Sequence, residues 1–238
     1  MPIEFGSDST GSSLPWVRHM IEENVWLVND PEGMDNVRLE SAAGELANPC
    51  LLDIANIQLG WLKIAGGRDF IAWPGNDPKA VARPSETQMS FGEEKPAYSR
   101  GFQVMMYSPA NFVDGNRQLA PLRVWSSSSA GHRAFIEALY AAAEQSENFG
   151  KKVPAVKIGK AVYTKEYGGP TKVHEFEIVD WMDAPEELAK AEFPTVKNAA
   201  SVTQPVTQQQ PQTNPSQTSA ADSVANGDFS GGNAKIVI

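Results

Sequence analysis

The chain has 238 residues, 41% of them hydrophobic and 21% charged, with a formal net charge of −9. That length holds one large domain or two small ones, and no apolar run approaches the roughly 20 residues that cross a bilayer, so no membrane partner is expected. A single cysteine, Cys50, excludes an intrachain disulfide and reads as a small buried hydrophobe.

The N-terminal "MPIEFGSDSTGSS" lacks the basic start and apolar middle of a signal peptide, which predicts a cytoplasmic protein. His19, His132 and His174 are scattered and show no ligand spacing such as H-x-x-x-H, so neither a zinc site nor any other cofactor is expected. The charge is unevenly spread. Residues 1–53 hold ten acidic residues against Arg18 and Arg38, whereas residues 97–181 hold ten Lys/Arg against eight Asp/Glu. The acidity sits at the ends and the middle is slightly basic, which readmits a nucleic-acid partner that the total would exclude.

In chain order, residues 1–52 form an N-terminal extension. Its "LPWVRHMIEENVWLVN" (Leu14–Asn29) is compatible with a short helix or a strand. "DIANIQLGWLKIA" (Asp53–Ala65) alternates and predicts a first strand, bent near Gly60. "FIAWPG" (Phe70–Gly75) is a short second strand, and a polar loop runs from there to Ala97. "YSRGFQVMMYSP" (Tyr98–Pro109) is a third strand, and "APLRVWSSS" (Ala120–Ser128) returns in extended form. Phe135, Ile136, Leu139, Tyr140 and Ala143 recur at helical spacing, which predicts a helix over 129–147 capped by Ser128 or Ser129. Ala155–Tyr167 and Thr171–Met182 alternate as the two strands of an antiparallel hairpin.

Nucleophilic catalysis needs a hydroxyl or thiol beside a base, and "SSSSAGHR" before His132 is the best candidate. A serine run ahead of a helix is more simply a cap, so no enzyme is expected. Binding is better supplied, because single strands are held by rings that stack bases and by cations that meet phosphates. Arg68, Phe70 and Trp73 supply these on the second strand, and Tyr98, Arg100, Phe102 and Tyr107 on the third. Lys157, Tyr163 and Lys165 share one parity on the strand after the helix, with Val156, Ile158 and Val162 opposite them.

A mainly β body over 53–193, five strands with one helix between strands three and four, resembles the OB-fold, a partly open Greek-key barrel. With the Gln/Pro/Ser/Thr tether "QPVTQQQPQTNPSQT" inside residues 194–238, the chain resembles the OB-fold single-stranded DNA-binding proteins, phage-encoded members above all. The resemblance implies a protein that coats single-stranded DNA during phage or prophage replication and recombination, and that assembles as a homo-oligomer. It also implies a disordered tail whose tip recruits replication or recombination proteins. Here the tip carries Asp228, Phe229, Ile236, Val237 and Ile238, not the acidic run ending in Pro-Phe usual in that family. The rival expectation is an adaptor or virion protein whose barrel makes only protein contacts.

Overall fold

Apolar residues at every second position produce most of the structure. Residues 14–29, 36–39, 44–64, 68–165 and 171–193 are those described in the computed structural model. Three short strands open it: β1 (Trp16–Met20), β2 (Val25–Asn29) and β3 (Asn36–Arg38). They are followed by β4 (Cys50–Leu52), β5 (Gln58–Lys63), β6 (Asp69–Ala72), β7 (Thr87–Ser90), β8 (Glu93–Pro96) and β9 (Ser99–Tyr107). A small ribbon of β10 (Val113–Asp114) and β11 (Arg117–Gln118) leads to β12 (Leu122–Ser127) and the helix α1 (Ala130–Glu144). The long hairpin β13 (Val153–Thr164) and β14 (Thr171–Met182) and a single helical turn, α2 (Glu186–Ala189), complete the described chain.

β9 is the hub. It pairs antiparallel with β12 along Phe102–Tyr107, with β5 through Ser99–Gln103, and with β4 through Met106 and Tyr107. The expected first strand is therefore broken. Residues 54–56 form a tight helical turn between β4 and β5, pinned where Asn56 Nδ2 donates to the Asp53 carboxylate at 3.0 Å. Ile54 drives the break, because the turn buries its side chain completely. β13 pairs antiparallel with β4, giving the spatial order β13-β4-β9-β12. β14 extends one edge, and β6 hangs on β5 as a short hairpin arm. Among the described residues, ten strands join this one sheet, which curls into a half-barrel.

The N-terminal residues are part of this sheet. β1 pairs parallel with β12, and β2 and β3 continue outward from it. Arg123, fully buried on β12, secures the join by donating from Nη1 to the carbonyls of Asn29 (2.7 Å) and Trp16 (3.2 Å). The inner face holds the main core, which includes Trp26, Phe102, Val104, Met106, Trp125, Phe135, Val156 and Ile158. Side chains of this size contribute about 1.5–3 kcal/mol each when fully buried. α1 closes that face against β14, with Phe135 edge-on to Phe176 at 5.6 Å. Its cap is Ser129, whose Oγ accepts from the His132 N–H at 3.2 Å. On the outer face Leu188 and Phe193 cover a smaller cluster of Leu51, Met105, Leu122, Val124 and Val153.

The polar loop of the sequence reading contains the β7–β8 hairpin, turned by Phe91 and Gly92 at φ 52° and 80°. Positive φ at both central residues is the geometry of a tight two-residue hairpin loop. No helix among the described residues is long and apolar enough to cross a membrane.

Candidate functional site

Two adjoining clefts open where the start of β9 runs beside β5 and the first turns of α1. One is lined by Trp61, Arg83, Ser99, Arg100, Ser128 and Arg133. The next shares Arg100 and Arg133 with it and adds Trp73, Asn76 and one carboxylate, Glu137. A third cleft beside β1 and β5 carries Arg18 and Arg68 with Leu62, Ile64 and Ser126. None of these five arginines pairs with a carboxylate among the described residues, whereas Lys63 is held by Glu86 (2.7 Å) and Arg117 by Asp114 (3.0 Å). Arg83 lies over the Trp61 ring at 5.7 Å, Arg68 Nη2 donates to Ser126 Oγ, and Arg133 Nε is buried with no hydrogen-bond partner. Desolvation draws the Arg68 guanidinium down to about 10, still cationic at neutral pH. A guanidinium without a carboxylate, beside serine hydroxyls and indole edges, is a donor set for an anion.

Of the residues expected to bind, Arg68 and Arg100 line these clefts, and Trp73 and Phe102 border the second with only a small exposed edge. The rings expected beside them are mostly interior, a correction to the expected stacking surface. Phe102 packs on Trp125 at 5.4 Å and is 1% exposed, because it shares the core parity of Val104 and Met106; only Arg100, beyond the end of the core, reaches solvent. Phe70 is buried where the β5–β6 pair crowds together: a Cβ on Gly60 would sit 2.3 Å from the Ile71 carbonyl. Trp73 and Tyr98 form a small cluster with Trp61 and Ala97, the Tyr98 hydroxyl donating to Asp69. Tyr107 is half-buried against the outer cluster. The four buried rings are 1–7% exposed, too little to stack a base.

Lys157, Tyr163 and Lys165 are exposed, but they do not share a side. A bulge between Ile158 and Ala161 inserts one extra residue against β14 and reverses the alternation. Lys157 stands opposite Glu177, while Tyr163 stands opposite Lys172, whose Nζ lies 5.3 Å from the Tyr163 ring centroid. The tail residues Asp228, Phe229, Ile236, Val237 and Ile238 lie outside the described residues. Sequence reading missed Arg18, Arg83 and Arg133, which periodicity gave no reason to bring together, and Phe91, which stands 99% exposed at the β7–β8 tip.

The scattered histidines meet, contrary to the expectation from spacing. His19 on β1, His132 in the first turn of α1 and His174 on β14 are all buried, and one ligand nitrogen from each lies within 4.8 Å of the others. His132 Nδ1 faces Ser127 Oγ at 2.7 Å, and His174 Nδ1 donates to the Gly159 carbonyl at 2.8 Å. Gly159 sits in the β13 bulge, where the backbone is released from regular pairing to hold the ring. The Ser127–His132 contact places a hydroxyl beside a base, yet His19, not a carboxylate, takes the other ring nitrogen, and both residues are sealed from solvent. Trp26, Trp125 and Phe135 wall the cluster at ring distances of 4.8, 5.4 and 5.9 Å.

No family model, no curated protein and no solved structure matches this chain. What the fold and the clefts define is a curled, mainly β protein whose clefts carry five arginines with no carboxylate partner among the described residues.

Proposed function

We propose that this chain binds single-stranded DNA at the arginine-lined end of an OB-type half-barrel. The observation that carries the reading is a set of five arginines, Arg18, Arg68, Arg83, Arg100 and Arg133, that pair with no carboxylate among the described residues, in a protein whose net charge is −9. The order β13-β4-β9-β12, with the only long described helix between the β12 and β13 strands, supports the OB assignment. Phosphates dock on the guanidiniums, and the stacking role passes from the buried rings to Phe91 and Tyr163, 99% and 71% exposed. Residues 194–238 keep the tether and recruiting role that their composition supports, in a phage or prophage replication setting.

Titrating a labelled oligo-dT at several salt concentrations tests this. Each phosphate contact adds about 0.7 to the slope of log affinity on log salt for a single strand. The double variant Arg100→Ala/Arg133→Ala is expected to flatten that slope by about 1.4 and to weaken binding more than about tenfold. Phe91→Ala is expected to weaken binding by about 5- to 150-fold without lowering the melting temperature. Absence of binding at low salt in the folded wild type would favour the adaptor reading instead.

A further inference from the structure

Two close contacts converge on a single imidazole nitrogen. His19 Nδ1 lies 3.0 Å from His132 Nε2 and 3.0 Å from His174 Nε2. A carbonyl only accepts, so His174 carries its proton on Nδ1, towards Gly159, and turns the lone pair of Nε2 towards His19. An imidazole nitrogen offers one in-plane valence, either an N–H or a lone pair. If His19 Nδ1 donates to His174, it has no second hydrogen for His132. If it accepts from His132, its lone pair opposes that of His174. One of the two 3.0 Å contacts is mismatched either way, in a site without solvent to repair it. His19 Nε2 is buried without a partner in both cases and so does not discriminate.

A cation shared by three lone pairs removes the mismatch. We propose that His19 Nδ1, His132 Nε2 and His174 Nε2 form a binding site for a divalent first-row transition ion of the zinc class. Imidazole is a ligand that such ions favour, and metal–nitrogen bonds of about 2.0–2.1 Å place tetrahedral nitrogens about 3.3 Å apart. Two of the three nitrogen pairs, at 3.0 Å, are close to that spacing, and the third closes by a ring movement on the order of 1 Å. Two ligands also have the outer contacts that orient metal-binding histidines: Gly159 O on His174 and Ser127 Oγ on His132. The ion joins β1 to α1 and β14, so its binding energy becomes folding energy.

The test uses the untagged full chain, stripped with a chelator and titrated with zinc alone. One equivalent is expected to bind, raising the melting temperature by about 5–10 °C at a hundredfold excess over Kd. Cobalt in the same site is expected to give visible d–d absorption, and His19→Phe and His132→Asn are expected to lose both effects while keeping the wild-type circular dichroism. A folded wild type that takes up no zinc, or variants that keep the stoichiometry and the cobalt spectrum, would overturn the site. Should the variants fail to fold, X-ray absorption of the zinc-loaded wild type decides: a three-imidazole shell supports the proposal, and a shell containing sulfur or lacking imidazole overturns it.

Discussion

At the residue scale, burial dominates the behaviour of the three imidazoles. Desolvation, reinforced by His174, His132 and Lys172, draws His19 down to about 2. Desolvation, reinforced by His174 and Arg18, draws His132 down to about 3, and His174 is also lowered by burial. All three are neutral in the fold, whereas in the unfolded chain each titrates near 6.5. The unfolded state therefore binds more protons below that pH, and stability falls as pH drops from about 6.5 towards 3. In chelator-treated protein His19 and His132 are each expected to cost on the order of 1 kcal/mol per pH unit across that window, and the lowered His174 adds to the loss in the same direction. Urea titrations at pH 7.5, 6 and 5 measure it; a midpoint unchanged between pH 7.5 and 5 would contradict neutral burial. Cys50 obeys the same rule in the opposite direction, its thiol pushed far up by complete burial.

At the element scale, the approach of α1 to β14 sets the geometry of the interior. A Cβ on Gly131 would lie 1.8 Å from the Lys172 carbonyl oxygen, a backbone atom with no freedom to swing aside. Gly131→Ala must therefore lift the first turn of the helix, and with it His132, away from β14. A loss of about 1–3 kcal/mol is expected from overpacking at this point, read as an earlier urea midpoint. Ser129→Ala, which removes the cap and a 3.3 Å contact with Ser127 Oγ, is expected to lose about 1 kcal/mol and leave the packing alone. Much at this scale was legible in the sequence. The five apolar positions of α1 fall on one face as their spacing requires, and the hairpin forms where it was expected, its second strand at Thr171–Met182 and its first starting two residues earlier at Val153. The β4–β5 break was not legible, since Ile54 suits a strand as well as a turn. The β7–β8 hairpin was hidden because it packs no apolar face against the core, and alternation has no meaning without a buried side. The β13 bulge was hidden for a related reason: one inserted residue reverses parity without changing composition.

At the scale of the whole molecule, both candidate sites are products of chain crossing and not of motifs. The histidines are separated by 113 and 42 residues, and the arginines come from β1, the strap before β6, the loop before β7, β9 and α1. Parallel pairing of β1 with β12, unannounced by any local pattern, is what brings His19 to the helix and Arg18 beside Ser126. The segregation of charge, by contrast, was readable, and it bears on the tail. Residues 194–238 hold Lys197 and Lys235 against Asp222 and Asp228, so removing them leaves the net charge at −9. A chain ending at Phe193 also keeps Leu188 and Phe193 over Leu51, Met105 and Val153. Its affinity for oligo-dT and its salt slope are therefore expected to match the full chain within about twofold, because neither counterion release nor the outer cluster is touched. A chain ending before Glu186 uncovers that cluster and is expected to lose about 1.5–3 kcal/mol from Leu188 alone. If the cut at Phe193 weakened binding tenfold with an unchanged melting temperature, the tail itself would be contacting the strand, and the arginine rim would not be the whole site.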